Sequence, residues 1–233
     1  MFNLDNKQSS WENFFTIEII EELNKIESQI GHNYFPSKEN VLRFTNLDLN
    51  KIKYIIVGME PYPSSYEKDG IIYPIATGRS FEIDNIYSWT QKFKQSSLRN
   101  ILKTIYFNYY NEKIDLYTLR EKISKNEFNI KPPKEWYDSL EKQGVMFLNA
   151  TLTVEAYNVD SHTKIWEVFI NKLIKYIISN NNEAIFLLWG NKAQERVLPL
   201  VDKNKTICNK HPRLNDFIDE NCFKTLNKVN WLG

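Results

Sequence analysis

The sequence has few of the features that mark secreted, membrane-spanning or metal-binding proteins. Its 233 residues include only two cysteines, Cys208 and Cys222, whose spacing fits neither a metal site nor a disulfide framework. No apolar run is long enough to cross a bilayer, and the first residues lack the basic and apolar segments of a secretory signal. We therefore expect a cytoplasmic protein with reduced thiols.

An excess of charge of either sign is also missing. The formal net charge is +1, from 30 Lys and Arg against 29 Asp and Glu. A local basic face can be hidden by a balanced total, so this value neither supports nor excludes a nucleic-acid partner. Aromatic residues make up 14% of the chain, enough for a substantial core. The length suits one large α/β domain or two small ones.

Short apolar runs alternate with segments of helical periodicity, which indicates an α/β fold with parallel strands and right-handed crossovers. No repeat or low-complexity tract interrupts this pattern, so we expect one domain over residues 1–233. Residues 62–77 have the composition of a loop, and residues 108–134 that of an excursion with one helix. The predicted strands are 54–57, 145–148, 184–189 and 205–208. Helices are predicted from a capping box at Ser9 and Glu12 to Gly31, from about Ser97, along the stripe Ile165, Phe169, Leu173 and Ile177, and over 223–231.

Each predicted strand leads into a polar or aromatic side chain. The first strand turns at a glycine and a proline and delivers Glu60 and Tyr62, and the others lead to Asn149, Trp189 and His211. Open α/β sheets bind ligands outside the carboxyl ends of their strands. These four endings therefore predict one assembled site.

Six motifs that occur in a fixed order extend this prediction. They are Gly58-Met59-Glu60-Pro61-Tyr62, Gly78-Arg79-Ser80-Phe81, Ser97-Leu98-Arg99-Asn100, the segment from Gly144 to Val154, the segment from Leu187 to Gln194, and His211-Pro212. In this order they resemble the uracil-DNA glycosylase superfamily, nearest its uracil-specific branch. Any one of these motifs alone would be a weak signal, and the resemblance extends from about Trp11 to Leu232.

The resemblance implies a three-layer α/β/α fold with a central, mainly parallel four-stranded sheet. It also implies an enzyme that flips uracil out of DNA and hydrolyses its N-glycosidic bond without a metal, another cofactor or a covalent lysine intermediate. Glu60 would stabilise positive charge on the sugar and hold the attacking water, and His211 would donate a hydrogen bond to the departing base as a neutral imidazole. The remaining implied uracil contacts are Met59, Tyr62, Phe81 and Asn149.

In this reading Asn149 recognises the uracil edge, Phe81 stacks on the ring, and Tyr62 crowds its C5 position against thymine. The implied DNA contacts are Ser97 at a helix start, Pro212, Arg213, and Leu214 as a wedge in the vacated base stack. The expected partner is uracil-containing DNA, single- or double-stranded, with a DNA-mimicking inhibitor protein as a second partner. We expect a monomer that does not bind membranes. We expect His162 to act as a helix cap and Trp189 to serve packing.

The chain departs from the family pattern at several of these positions. Glu60 stands where the family has aspartate, Met59 replaces a glutamine, and the loop that follows Tyr62 is longer. Arg79 is bulkier than the family residue, and the segment Arg213-Leu214-Asn215 is shorter than its counterpart. These changes affect the water site and the DNA-clamping loops, whereas the base pocket is retained.

Two other functions fit the same residues. In one, the Glu60 and Leu214 changes abolish turnover, which leaves a module that binds uracil-containing DNA or serves as a decoy for an inhibitor. The persistence of both Glu60 and His211 argues against it. In the other, the long 62–77 loop closes the pocket, and the substrate is a free nucleoside or modified base.

Overall fold

A parallel four-stranded sheet lies at the centre of the computed structural model, which describes residues 2–233. Its strand order is β5-β2-β7-β8, and each neighbouring pair is parallel. Two small antiparallel pairs, β1 with β6 and β3 with β4, flank it. The strands are β1 (Tyr34–Phe35), β2 (Tyr54–Gly58), β3 (Ser65–Lys68), β4 (Ile71–Pro74), β5 (Val145–Asn149), β6 (Val154–Glu155), β7 (Ile185–Trp189) and β8 (Thr206–Asn209).

Helices cover both faces of this sheet. They are α1 (Ile17–Ile30), α2 (Ser96–Tyr110), α3 (Leu116–Ser124), α4 (Pro133–Lys142), α5 (Thr163–Asn180), α6 (Asn191–Val197) and α7 (Asp216–Glu220). Alternate residues of β2 point to opposite sides: Ile55 and Val57 pack with α1, α5 and α6, whereas Tyr54 and Ile56 pack with α2, α3, α4 and α7. The predicted three-layer α/β/α fold is confirmed.

Burial on both faces explains why the central strands could be read from the sequence. Every residue of β2 and β5 is buried, so an apolar run rather than an alternating pattern marks each of them. All four predicted strands lie within about one residue of their observed bounds. The helices expected near Ser97, along the Ile165 stripe and inside 108–134 are also present, as α2, α5 and α3.

The predicted start of the first helix was wrong. Ser9–Phe14 forms a 3-10 helix, and α1 begins only at Ile17, where the Thr16 hydroxyl accepts from the Ile19 amide. Trp11 and Phe14 are both buried in the core, and the Trp11 indole donates to the Leu47 carbonyl at 2.7 Å. The segment therefore packs as a separate turn.

The loop expected over 62–77 contains a β-hairpin, β3 and β4. Its turn is Asp69-Gly70, and both residues have positive φ, 54° and 75°. An Asp-Gly pair between strands favours the tight hairpin turn that needs this backbone geometry. The hairpin follows directly on the segment that carries Glu60 and Tyr62.

The closing helix expected over 223–231 was also wrong. The chain forms α7 and then a 3-10 turn, Cys222–Thr225, with the rest irregular. The apolar residues of this tail are buried, but indole-to-backbone bonds hold it: Trp231 donates to the Leu226 carbonyl, and Trp136 of α4 donates to the Trp231 carbonyl. The helix α4, which begins at Pro133, was not predicted.

Both cysteines are free thiols, Cys208 exposed and Cys222 buried. Within residues 2–233, no helix has the length and apolar character to traverse a membrane. In the same part of the chain, no group of three or more His, Cys, Asp or Glu side chains is placed to hold a metal ion.

Candidate active site at the carboxyl edge of the sheet

The four strand endings lie along one edge of the central sheet. In the register, Gly58 pairs with Asn149 and Trp189 pairs with Asn209, two residues before His211. The carboxyl ends of parallel strands meet at one side of a sheet, where α/β proteins bind ligands. This is where the chain places its candidate residues.

A missing side chain at Gly58 makes room for Asn149. A Cβ on Gly58 would lie 2.6 Å from Asn149 Oδ1 and 2.7 Å from Ser80 Cβ, too close for any other residue. Asn149 is only 2% exposed. Its carboxamide forms no hydrogen bond with any residue of the described chain, so its donor and acceptor are available to a ligand.

The turn after Gly58 is fixed to the end of β5. The Gly58 and Met59 carbonyls accept from the Ala150 and Thr151 amides, both at 2.8 Å. The half-buried Met59 side chain packs against the core on the α1 side. Tyr62 is half-buried against the opposite core, and burial raises the pKa of its phenol.

Phe81 lies between the end of β7 and His211. Its ring centroid is 5.4 Å from Trp189 and 6.2 Å from His211. The backbone at Phe81 has φ 63°, which is strained for a bulky residue. Ser80 stabilises this conformation, because its hydroxyl donates to the Ile56 carbonyl at 3.1 Å.

Arg79 anchors the same loop from the other side. Arg79 is 5% exposed, and its guanidinium donates to Glu82 at 2.9 Å, to Asp138 at 2.6 Å and to Glu141 at 2.7 Å. Asp138 and Glu141 lie on α4, so the buried charge joins the Phe81 loop to that helix. Arg79 is bulkier than the residue in the family pattern, and the cluster of ion pairs accommodates its side chain.

Glu60 is half-buried, and it is held from a distant part of the chain. The Asp160 amide donates to Glu60 Oε2 at 2.9 Å, and Lys192 forms an ion pair with Asp160 at 3.1 Å. Burial raises the pKa of Glu60; the Asp160 amide opposes this rise, the Asp160 carboxylate adds to it, and Lys192 opposes it. Lys192 lies in the motif from Leu187 to Gln194, but nothing in the sequence indicates that Asp160 contacts Glu60.

His211 is oriented by its own turn. The Arg213 amide donates to Nδ1 at 3.1 Å, which leaves the proton of the neutral ring on Nε2. Burial lowers the pKa of His211, and the Arg213 cation lowers it further. Gly190 makes the close approach possible, since a Cβ there would lie 2.8 Å from His211 Cβ. His211 is therefore prepared as a neutral donor through Nε2.

Two side-chain contacts and a short stretch of backbone connect the acid to the imidazole. Glu60 contacts Asp160, Asp160 pairs with Lys192, and Lys192 lies two residues after Gly190, which abuts His211. The acid and the imidazole are thus at the same edge, one beyond β2 and the other beyond β8.

The implied DNA contacts surround the start of α2 and the turn after His211. Ser97 is in the first turn of α2, and Arg213 and Leu214 are exposed. Pro212 is buried, and its carbonyl accepts from Asn100 Nδ2 at 2.8 Å. Asn100 also reaches the Leu214 carbonyl at 3.3 Å, so it ties the His211 turn to α2, a role that the sequence did not reveal.

Trp189 and His162, for which we predicted structural roles, are both buried in the structure. Trp189 packs against Phe81 and against Phe217 of α7, as expected. His162 occupies the N-cap position of α5, but its side chain forms no cap bond, so the capping explanation was wrong. Instead its Nδ1 pairs with the Thr153 hydroxyl at 2.9 Å in a buried network with Trp166.

Comparisons with known proteins agree on one family, although no protein-family model matches the sequence. The uracil-DNA glycosylase of Francisella tularensis subsp. novicida is 29% identical over 222 residues, which cover 88% of this chain and 87% of that protein. The enzyme of the same name from Francisella philomiragia is 30% identical over 174 residues, 73% of this chain and 65% of that protein.

Solved structures give the same result. A variant of mimivirus UNG in complex with UGI is 26% identical, with a TM-score of 0.66, over 88% of this chain and 70% of that chain. The UNG of Nitratifractor salsuginis, 21% identical, has a TM-score of 0.73 over 97% of this chain and 94% of that chain, and so supports the fold.

Proposed function

The chain is a divergent member of the uracil-DNA glycosylase superfamily, and from that premise we propose that it removes uracil from DNA in base-excision repair. The reaction hydrolyses the N-glycosidic bond and leaves an abasic site. The observation that carries this proposal is the neutral His211, held by its Nδ1 with Nε2 free to donate, at the same sheet edge as the Glu60 carboxylate.

The two groups match the charges of the reaction. As the bond between sugar and base breaks, positive charge develops on the sugar and negative charge on the uracil. The Glu60 carboxylate stabilises the positive charge on the sugar and holds the attacking water. His211 Nε2–H donates to the uracil oxygen that gains negative charge. Because His211 is neutral and its pKa is lowered, it donates a hydrogen bond without giving up a full proton.

The free carboxamide of Asn149 supports recognition of uracil. Its NH₂ group donates to a uracil carbonyl and its oxygen accepts from the ring N–H, a pattern that cytosine reverses. Phe81 stacks on the ring, and Tyr62 crowds the C5 position, where thymine carries a methyl group. Flipping the nucleotide out of the stack exposes this edge to the pocket.

The contacts of Glu60 support a role for Asp160 and Lys192 as positioning residues. A glutamate reaches about one carbon–carbon bond further than the aspartate of the family pattern, and a displacement of about 1 Å can cost roughly a hundredfold in rate. The Asp160 amide meets the longer side chain and fixes one carboxylate oxygen. We propose that this contact restores the productive position.

An oligonucleotide assay tests the proposed activity. We expect uracil release from single-stranded DNA and from U opposite A or G, and no release of thymine from T opposite G. The readout is strand cleavage at the abasic site together with free uracil. Tight binding of uracil-containing DNA without release would favour the binding module, and release from deoxyuridine but not from oligonucleotides would favour a nucleoside hydrolase.

Burial of Glu60 sets the acid limb of the pH profile, and the charges of Asp160 and Lys192 shift it in opposite directions. Activity requires ionised Glu60, so kcat/KM falls as the pH drops through the pKa of Glu60, which lies above its ordinary value of 4.5. Lys192→Gln removes a cation that lowers this pKa, so the acid limb moves to higher pH. Asp160→Asn keeps the backbone amide that donates to Glu60 and removes a carboxylate that raises the pKa of Glu60, so the acid limb moves to lower pH. The assigned contacts would be contradicted if the acid limb moved in the same direction by the same amount in both variants, or if it moved in neither.

The structure of mimivirus UNG with UGI bound also bears on partners. We propose that this chain acts as a monomer, and that an inhibitor protein that mimics DNA competes for the same surface around His211 and α2.

A further inference from the structure

A cavity beside the β3–β4 hairpin lies apart from the proposed uracil pocket. Its volume is about 360 Å³, within the range of pockets that hold small organic ligands, and we call it the hairpin cavity. Its walls come from residues 37–43, residues 73–77 and residues 82–87, together with Lys134 at the start of α4. None of the proposed contacts with uracil lines it, so the proposed reaction gives this cavity no role.

Two tyrosines in the wall of the hairpin cavity present accessible aromatic surface. Tyr73 of β4 is 37% exposed, and Tyr87 is 66% exposed. Tyr66 of β3 stacks on Tyr73 with ring centroids 5.6 Å apart, which leaves the other face of Tyr73 without a stacking partner. Within residues 2–233, no aromatic ring packs against Tyr87. Such rings favour stacking with a planar ligand.

The segments that carry these tyrosines are held in place by hydrogen bonds. The Tyr66 phenol donates to the Asp84 carboxylate at 2.5 Å, which ties the hairpin to the loop after Phe81. The Tyr87 amide donates to Gln91 Oε1 at 3.1 Å. A ligand that enters the cavity therefore meets a preformed wall, which reduces the entropy lost on binding.

The wall formed by residues 37–43 offers both a hydrogen-bond acceptor and donors. Asn40 Nδ2 donates to the Ser37 hydroxyl at 3.0 Å, and Arg43 Nη1 donates to the Thr77 carbonyl at 3.2 Å. The Asn40 carboxamide oxygen and the remaining N–H groups of Arg43 have no partner among the described residues. Unstacked nucleic-acid bases carry donors and acceptors together on their edges, so these two side chains suit a base.

The charges that line the cavity are balanced. Arg43 and Lys134 stand against Glu82 and Asp84. Burial raises the pKa of Glu82, and the Arg79 and Arg43 cations oppose this rise. A balanced lining gives no advantage to a ligand held by charge alone and suits a neutral, polar ring. Lys134 is exposed and forms no ion pair in the described part of the chain, so it can meet a phosphate outside the cavity.

We propose that the hairpin cavity binds one nucleotide by its base, with Tyr73 and Tyr87 as stacking surfaces and Lys134 as a contact for its phosphate. This inference rests on the proposed function, which makes a DNA strand the first source of that nucleotide; a free nucleotide has the same chemistry. Glu82 lines the cavity and directly follows Phe81, so a strand held here lies beside the uracil pocket.

The proposal gives a function to the hairpin, the longer segment by which this chain departs from the family pattern. A base can enter the cavity only when it is unpaired and unstacked, and single-stranded DNA meets this condition at no cost. The cavity therefore favours single-stranded substrates over duplexes.

The test measures binding of a uracil-free single-stranded 20-mer by fluorescence anisotropy, in parallel with a 20-mer built only of abasic nucleotides. We expect Tyr87→Ala and Tyr73→Ala each to raise Kd for the first oligonucleotide roughly five- to hundredfold, the range for the loss of one stacked base. The slope of log K against log salt should stay the same, because neither variant removes a charge. Binding of the abasic 20-mer should not change.

Three further variants make this result specific. Tyr87→Phe keeps the ring and should bind as tightly as the unmodified protein. Tyr109→Ala removes an exposed tyrosine near the end of α2, whose phenol donates to Asn230 and which lies outside the cavity, and it should change no Kd. Lys134→Gln should make the salt slope shallower by about 0.7, the value for one phosphate contact on a single strand.

The outcomes separate the cavity from the proposed function. If the protein releases uracil but Tyr87→Ala and Tyr73→Ala leave Kd unchanged while thermal melting shows intact folding, the cavity proposal is overturned. An equal loss of binding to the abasic 20-mer would also overturn it, because the tyrosines would then contact no base. If both variants weaken binding but the unmodified protein releases no uracil, only the proposed activity is refuted.

Competition with thymidine 5′-monophosphate identifies the source of the nucleotide. Displacement of the 20-mer by the mononucleotide at concentrations near the Kd of the 20-mer would assign the cavity to a free nucleotide and overturn its assignment to the strand. Displacement only at far higher concentrations is the expected result, and it supports binding of a base that belongs to a DNA strand.

Discussion

Replacing Glu60 by glutamine lowers kcat/KM for uracil release roughly 100- to 10,000-fold, the range typical of a lost catalytic acid or base. The amide has the same shape, and its oxygen still accepts from the Asp160 amide, so the fold of the turn is retained. In the proposed mechanism, the substitution removes the negative charge that stabilises the sugar and orients the water. Single-turnover release of uracil from a labelled oligonucleotide measures the effect.

Two controls make this result specific. Glu167→Gln removes a surface carboxylate that pairs with Arg196 of α6 at 3.0 Å, and it should leave the rate unchanged. Glu60→Asp keeps the charge but withdraws the carboxylate from the Asp160 amide, so its rate should fall between those of Glu60→Gln and the unmodified enzyme. A Glu60→Gln enzyme as active as the unmodified protein would remove Glu60 from the mechanism.

Replacing His211 by alanine lowers kcat roughly 100- to 1,000-fold, the cost of one hydrogen-bond donor aimed at developing negative charge. Its donor acts mainly in the transition state, so affinity for uracil-containing DNA should change far less than kcat. Because the pKa of His211 lies below its ordinary 6.5, the neutral ring persists as the pH falls to that value. Protonation of the imidazole should therefore remove less than about half of the rate between pH 8 and pH 6.5.

His32→Ala is the matched control, because His32 is exposed in the turn after α1 and far along the chain from the sheet edge. Thermal melting of His211→Ala establishes that the turn still folds without its Nδ1 acceptor. A loss of affinity equal to the loss of kcat would indicate that His211 serves binding, and the assigned role would be wrong.

The central sheet could be predicted because its physics leaves a direct mark on the sequence. A strand buried on both faces must be apolar throughout, and the glycine that ends β2 and the proline that follows it mark the end of the strand. The Asp69-Gly70 pair is an equally clear sequence signal for a hairpin turn, but the loop-like composition of the surrounding residues obscured it. The tail after Cys222 was wrongly predicted as a helix, because its buried apolar residues have nearly helical spacing although they form no α-helix.

The side-chain contacts that complete the site could not be predicted. Asp160 reaches Glu60 across 100 positions, and Asn100 reaches Pro212 across 112. Both are single hydrogen bonds to backbone groups, which impose no periodicity and no distinctive residue type. The motif residues indicated the candidate site, whereas the groups that hold these residues in place emerge only from the folded chain.

The most direct test is a crystal structure of the protein with abasic DNA and free uracil. The account predicts that His211 Nε2 lies within hydrogen-bond distance of a uracil oxygen, that Asn149 pairs with the base edge, and that the Glu60 carboxylate faces the sugar from the other side. Uracil bound in a cavity that lacks either Glu60 or His211 would contradict it.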